Sequence, residues 1–448
     1  MTLYVDANDA GLKEQRRIVG GVARAGDRGA GGPLLLPGID TIDMTGADQQ
    51  IIKLNHSSYA DAESITQDVA LLLQLGERPP DRRLPILQRI SGPAGDYWRF
   101  PDTDSGGADG AYAAMPVFFG TDRKQDAKAK TPSFGAERGK QLTLGRALVT
   151  IPKAHKIASG PERPSWLDLF SGSNPFREDP NKHFTVFDIS ILTHDRFVET
   201  AQQRLRQANI FRNHVLVFVH GYNVTFQNAL FRTAQFAYDL GFDGIPFVYS
   251  WPSGGSLKDY LYDRDSAELS VEYLLQFLEL VIKESGAENV HLVAHSLGNE
   301  PLLRALQNFA EHNQTYAAIN QIVLAAPDID KDRFEKMAAS IKLIGRNRTL
   351  YASANDAALK AARNAARDTP RAGDVPSTGP LILQGVDTID ASSTSTAIFS
   401  LNHSGYAESR ELLNDIRPLL QKGLPPKDRT SIFEVVPVRD AFYWRFPK

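Results

Sequence analysis

There is no cysteine anywhere in this 448-residue chain. Disulfides, thiolate nucleophiles and Cys-ligated zinc or iron–sulfur centres are thereby excluded. Nor is there a surplus of either charge: 50 Lys and Arg stand against 53 Asp and Glu, a formal net charge of −3. A chain so close to neutral lacks the broad basic surface that dominates nucleic-acid affinity, and no nucleic-acid partner is expected. No run of about 18 apolar residues occurs, so no transmembrane helix is expected. Met1 to Gly11 is polar and lacks the apolar core of a signal peptide. A cytoplasmic location is the expectation, with the true start of the gene left open. No glycine-rich phosphate loop is present, since Ser253-Gly254-Gly255-Ser256 is too short for one. What remains is 42% hydrophobic and 23% charged, with 34 Gly and 26 Pro, which rules out collagen-like and disordered chains. At ~100–200 residues per domain, the length suggests two or three domains, or one large domain with an appendage.

The chain repeats itself. Residues 2–60 align without a gap onto 349–407, and 30 of the 59 positions are identical. Thr2-Leu3-Tyr4 matches Thr349-Leu350-Tyr351, and Leu54-Asn55-His56-Ser57 matches Leu401-Asn402-His403-Ser404. Both copies close on Tyr-Trp-Arg-Phe-Pro, at 97–101 and 443–447. Two copies so far apart cannot stack as a solenoid. A duplicated segment is the simpler reading, with 1–101 as an N-terminal copy of 349–447. Residues 102–111, Asp-Thr-Asp-Ser-Gly-Gly-Ala-Asp-Gly-Ala, read as a linker, and 112–448 as the main domain.

Within that domain, Met115–Phe119, Arg146–Ile151 and Phe184–Ile191 are strand-like, and from His214 strands and helices alternate. His214–Val219 is a nearly continuous apolar run, the pattern of a strand buried on both faces. The series continues with a helix over 225–240, a strand at Ile245–Tyr249 and one long helix over 263–284. That helix buries Leu269, Tyr273, Phe277, Leu280 and Val281 on one face. Strands at Val290–Ala294, Ile322–Ala326, Thr349–Ser353 and Leu381–Val386 follow, with a helix from about 297 to 311 between the first two. The pattern predicts an α/β fold with a mostly parallel sheet covered on both faces, and ligands outside the carboxyl ends of its strands.

One such end carries the motif Ala294-His295-Ser296-Leu297-Gly298, between an apolar strand and a helix. It fits the nucleophile elbow G-x-S-x-G with Ala in the first place. Small residues belong there because the turn is too tight for a larger side chain beside the nucleophile. The elbow lifts a serine hydroxyl to the start of a helix, where backbone N–H groups favour a developing oxyanion. The bland alternative is a strand–helix turn with an incidental serine. His220-Gly221-Tyr222-Asn223 follows an apolar strand where the second oxyanion donor is expected, so the N–H groups of Tyr222 and Leu297 form the candidate pair.

Val-Phe-Val-His-Gly-Tyr-Asn at 217–223, Tyr-Ser-Trp-Pro-Ser at 249–253, Ala-His-Ser-Leu-Gly-Asn at 294–299 and Ala-Ala-Pro-Asp-Ile-Asp at 325–330 resemble a bacterial family of esterase/lipase-like alpha/beta hydrolases of formerly unknown function. The resemblance covers roughly 112–448. It implies an alpha/beta-hydrolase sheet and a Ser–acid–His order along the chain. The N-terminal duplicate of the C-terminal strand–helix unit departs from the usual layout.

A serine hydroxyl needs a His to take its proton and an acid to orient that His. The chain order asks for a His after the last strand. His403 fits, whereas His312 lies at the polar end of a helix. The acid is Asp356, after the strand where this fold usually places it, with Asp328 and Asp330 as alternatives after the preceding strand. Each Asp could instead cap a helix. The N-terminal copy carries equivalents, Asp9 and His56, but no elbow. His220 is read as fixing the oxyanion loop. His291 and His295 do not share a helical face, so no metal is implied, and no cofactor is called for.

The connection 327–348 leaves room for one helix and no large lid, which favours short to medium acyl esters. The expected activity is a carboxylic ester hydrolase acting on a small-molecule ester through a Ser-His-Asp triad and an acyl-enzyme. Thioesters or amides could use the same site. The competing class is a non-catalytic assembly protein on a hydrolase scaffold. Exchange of the duplicated segment between copies offers a route to a homo-oligomer.

Overall fold

The computed structural model of the chain describes residues 1–5, 25–26, 32–44, 88–92, 95–99, 112–129, 131–164, 178–255, 259–312, 318–354, 369–394, 408–429, 433–438 and 440–447. The chain divides into two compact units, Met1–Ala113 and Ala114–Lys448. The linker expected at 102–111 lies outside the described residues.

The first unit holds β1 (Thr2–Val5), β2 (Asp40–Asp43), β3 (Gln88–Gly92) and β4 (Gly95–Arg99), paired in the order β1-β2-β4-β3. Thr2 lies opposite Asp40 and Ile42 opposite Trp98, both in parallel pairs, while β3 and β4 form an antiparallel hairpin. The hydroxyl of Thr41 donates to the carbonyl of Leu34 at 2.9 Å.

The second unit is built on eleven strands. They are β5 (Tyr112–Gln125), β6 (Phe134–Pro152), β7 (Thr185–Leu192), β8 (His214–Val219), β9 (Ile245–Ser250), β10 (Asn289–His295), β11 (Ile319–Ala325), β12 (Asn347–Ala352), β13 (Asp387–Asp390), β14 (Glu434–Val438) and β15 (Ala441–Arg445). Their order is β14-β15-β13-β12-β11-β10-β8-β9-β5-β6-β7. Neighbours from β15 to β5 run parallel, and the pairs β14/β15 and β6/β7 at the two ends are antiparallel. At the β12 end, Thr349 lies opposite Asp387 and Ile389 opposite Trp444, and Thr388 donates to the carbonyl of Leu381 at 2.9 Å.

Seven helices are described between the strands: α1 (His194–Leu205), α2 (Phe226–Asp239), α3 (Tyr260–Leu269), α4 (Val271–Glu284), α5 (Asn299–His312), α6 (Lys331–Ser340) and α7 (Glu408–Lys422). The central strands are buried throughout: Val215, Leu216, Val217 and Val219 are all 0% exposed. No water reaches either face of β8, which is why its sequence shows no polar alternation. Thr225 caps α2, its hydroxyl accepting the Asn228 N–H at 3.2 Å.

Two sequence expectations are corrected. The single helix over 263–284 is two helices that meet at Ser270, where ψ is −8°. The buried Ser270 hydroxyl donates to Asp122 Oδ2 at 2.6 Å and its carbonyl accepts the Tyr249 hydroxyl at 3.2 Å, contacts that hold the joint against the sheet. The turn takes Leu269 off the buried face, leaving it 58% exposed, while Phe277 and Val281 remain in the core. The strand expected at 381–386 is not one. Gly385 has φ +77° in a turn, and the strand is the more polar Asp387–Asp390 that follows.

A buried polar cluster fixes α7 beneath β12. The Tyr351 hydroxyl donates to Asp415, and Arg429 donates to Asp415 Oδ2 at 3.1 Å and to Thr349 Oγ1 at 3.3 Å. Burial pushes the Asp415 carboxyl up, and Arg429 and Tyr351 oppose that shift. Removing one partner of such a set leaves an uncompensated buried charge.

Candidate active site

β10 ends at His295 in extended backbone, φ −117° and ψ 137°. Ser296 then turns left-handed, with φ +51°, and opens a short 3-10 turn to Gly298 that runs into α5. Such a conformation costs about 1–2 kcal/mol in a residue with a Cβ. It persists at functional positions where the surroundings hold it. Here they do. A methyl group added at Gly298 would lie 2.3 Å from the His220 carbonyl oxygen, so only glycine fits that close approach. The Asn299 side chain donates to the carbonyls of Ser296 at 2.9 Å and Ala325 at 3.2 Å, tying the elbow to the end of β11. Ser296 is 2% exposed, and its hydroxyl has no hydrogen-bond partner among the described residues.

The loop after β8 lies against this turn, since a Cβ at Gly221 would sit 3.0 Å from the Ser296 Cβ. His220 holds that loop, as its sequence position suggests. Its Nδ1 donates to the Gly221 carbonyl at 2.7 Å, which leaves Nε2 to accept from the Ser250 hydroxyl at 3.2 Å. Ser250 in turn accepts from Arg123 Nε at 3.0 Å. Burial, together with the nearby Arg123 charge, drives the His220 pKa down to about 3, so this imidazole stays neutral. Trp251 stacks on it at 4.9 Å and donates Nε1–H to the His220 carbonyl at 2.8 Å.

Of the expected acid and base, Asp356 and His403 lie outside the described residues, as do Asp9 and His56. The two alternative acids are described. Asp330 caps α6, accepting the Arg333 N–H at 3.0 Å. Asp328 is 2% exposed, accepts the Tyr260 hydroxyl at 2.9 Å, and pairs with Arg371 Nε at 3.2 Å. Tyr260 also meets the Tyr222 ring edge-on at 5.5 Å, so an aromatic pair links the loop after β8 to the Asp328 carboxylate.

The remaining histidines do other work. His291 and His214 share a hydrogen bond at 2.9 Å at the opposite ends of β10 and β8 from the elbow. His155 bridges Asp239 at 3.0 Å and Glu162 at 2.8 Å. Among the described residues no group of three or more His, Asp or Glu could hold a metal ion, and no helix is long and apolar enough to cross a membrane. An open groove of about 380 Å³ is lined by residues of α3, α4, α5 and α6, and Ser296 is not among them. Its charges are internally paired, Arg304 with Glu268 at 2.9 Å and Arg333 with Glu300 at 2.5 Å.

Asp263, whose carboxylate accepts the Asn223 N–H at 2.9 Å, joins Arg123 and Asn299 as residues around this loop that sequence reasoning did not single out. Asn299 stands inside the recognised elbow motif. Arg123 and Asp263 carry no local signal, because a charged residue in sequence reads as a solvated one.

Comparison with known proteins places this geometry in context. The family model for an alpha/beta hydrolase of unknown function (DUF900) matches residues 196–421, just over half of the chain and a shorter span than the motifs suggest. Among solved structures, a candidate cell surface hydrolase from Lactobacillus plantarum WCFS1 is 12% identical, over 49% of this chain and 96% of that one, with a TM-score of 0.32. A lipase-esterase related protein from Clostridium acetobutylicum ATCC 824 is 10% identical, over 47% and 96%, with a TM-score of 0.27. No curated protein matches the sequence.

Proposed function

We propose, from the premise that the chain belongs to the alpha/beta-hydrolase family of unknown function, that it is a serine hydrolase of carboxylic esters with short to medium acyl chains. The observation that carries this reading is Ser296: a left-handed serine between β10 and α5, packed on the Gly221 loop, its hydroxyl unclaimed among the described residues. A left-handed serine between a parallel strand and a helix has the geometry of a nucleophile elbow.

In the proposed reaction, His403 removes the Ser296 proton as Oγ attacks the ester carbonyl carbon. The N–H groups of Leu297 and Tyr222 stabilise the oxyanion of the tetrahedral intermediate. The carbon–oxygen bond to the alcohol then breaks, and His403 returns its proton to the departing oxygen. Water, deprotonated by the same His, attacks the acyl carbon; the bond to Ser296 Oγ breaks, His403 returns the proton to Oγ, and the carboxylic acid leaves. Asp356 orients His403. Asp328 is the weaker choice because its carboxylate is already held by Tyr260 and Arg371. The single helix α6 between β11 and β12 supports small substrates, since it leaves no room there for a large lid.

The test is reaction with a fluorophosphonate. Stoichiometric labelling of Ser296, absent in Ser296→Ala, is expected, together with a fall of about 10³-fold or more in aryl-ester hydrolysis. Hydrolysis by Ser296→Ala within tenfold of the unmodified enzyme would overturn the proposal.

A further inference from the structure

Asp263, in the first turn of α3, is 0% exposed, and three groups converge on its carboxylate. Oδ2 accepts the backbone N–H of Asn223 at 2.9 Å and the Ser253 hydroxyl at 2.6 Å, and Oδ1 accepts the Gly254 N–H at 2.6 Å. Asn223 directly follows Tyr222 and is itself left-handed, with φ +57°. That state is unfavourable outside glycine and has to be held. The next residue is held by the same group of side chains. The Val224 N–H donates to Ser253 Oγ at 3.0 Å, and its carbonyl accepts from Arg123 Nη2 at 2.7 Å.

A buried carboxylate so close to an oxyanion site raises an electrostatic difficulty, since it would repel the charge that develops there. The guanidinium of Arg123 answers it. It is 2% exposed and donates to the Ser253 carbonyl at 3.1 Å. Burial pushes the Asp263 carboxyl up, and the Ser253, Asn223 and Gly254 hydrogen bonds, with the Arg123 charge, oppose that shift. The two buried charges offset each other. Because the loop touches Ser296 at Gly221, a small shift at 222–223 is felt at the reacting atoms.

We infer that Asp263 is a positioning residue for the oxyanion site: by holding Asn223 and the Ser253–Gly254 turn, it aims the Tyr222 N–H at the intermediate formed on Ser296. The inference rests on the serine-hydrolase reading above. It assigns a role to a side chain that touches neither substrate nor nucleophile.

The experiment uses the full-length chain and compares the unmodified enzyme with Asp263→Asn and Ser253→Ala. The readouts are kcat and KM on p-nitrophenyl acetate and inhibition by an aryl trifluoromethyl ketone, which forms an oxyanion when a serine adds to it. An Asn cannot accept all three bonds. Asp263→Asn is expected to lose about 10- to 100-fold in kcat, with KM within about twofold and the ketone Ki weakened by the same factor as kcat. Ser253→Ala, a milder change that keeps the charge balance, is expected to show the same parallel at about 3- to 10-fold. It carries the test if Asp263→Asn does not fold.

A folded variant with unchanged kcat overturns the inference. So does a kcat loss that leaves the ketone Ki untouched, because loss of folded enzyme lowers kcat without weakening the oxyanion contact. If the unmodified enzyme takes no fluorophosphonate label at Ser296, the functional reading itself fails, and the two failures are thereby told apart.

Discussion

Gly298→Ala isolates the tightest contact in the site. The added methyl would sit 2.3 Å from the His220 carbonyl oxygen, 2.7 Å from that of Val219 and 2.9 Å from the His220 carbonyl carbon. All three are backbone atoms of β8 and of the loop that follows it, so no side chain can swing away. An ordinary carbon–oxygen contact is about 1 Å longer than the shortest of these, so α5 and the loop must separate by about that much. Overpacking of this kind costs about 1–3 kcal/mol, and a displacement of about 1 Å at the reacting atoms costs about 10²-fold in rate.

Two control substitutions calibrate the result. Gly221→Ala meets the Ser296 Cβ at 3.0 Å, the His295 oxygen at 3.2 Å and His295 Nδ1 at 3.3 Å, all longer contacts, so its effect is smaller on both measures. Gly286→Ala meets nothing closer than 3.9 Å and pays only for its φ of +79°, about 1 kcal/mol, with no change in rate. Urea unfolding midpoints and the rate of fluorophosphonate labelling of Ser296 are measured for all three. If Gly298→Ala is as stable as the unmodified protein and labels at the same rate, the close approach of the elbow to the His220 loop is not what shapes this site.

Three further outcomes are expected. Asp356→Asn lowers kcat more than Asp328→Asn, by up to ~10⁴-fold for loss of the orienting acid; steady-state kinetics of the pair decide, and the reverse ranking would move the acid to the end of β11. His403→Ala abolishes ester hydrolysis while His56→Ala retains most of it, because β12 pairs directly with β11 within the sheet that carries Ser296; activity lost only in His56→Ala would make the N-terminal copy the working one. The joint contribution of three histidines to stability is greatest near pH 6.5, with a decline on each side. Burial lowers the pKa of His155, but Asp239 and Glu162 outweigh it and hold the value near 9, so its contribution is complete below the ordinary histidine value and fades as the pH rises toward 9. Burial holds His214 near 4 and His291 well below the ordinary value, so their contribution is complete above about 6.5 and is lost as the pH falls toward 4. Urea midpoints against pH test this, and His155→Gln should flatten the alkaline limb alone.

The features legible in the sequence are those whose physics is local. The apolar runs of β8 and β10 announce burial on both faces, because nothing in those strands has to meet water. The elbow is legible for the same reason: a turn that places Ser296 at φ +51° beside the His220 carbonyl tolerates only a small residue at 298, and that constraint spans a few consecutive residues. His220 could be assigned to the loop it occupies because its ring bonds the very next carbonyl. Asp356 and His403 are proposed from chain order and resemblance.

The tertiary structure decided what depends on distant partners. The helix expected over 263–284 turns at Ser270 because Asp122, 148 residues away, takes its hydroxyl. The apolar Leu381–Val386 looked more like a strand than Asp387-Thr-Ile-Asp390, yet hydrogen-bonding to β12 and β15 selects the latter. Arg123 and Asp263 read as surface charges, since desolvating either alone is costly. Only the folded chain brings them to the same turn, where each meets the backbone groups that make its burial tolerable. Hydropathy and short motifs encode what a segment needs of its neighbours. Which neighbours meet that need is settled by pairings across more than a hundred residues, and those are set by the packing of the whole sheet.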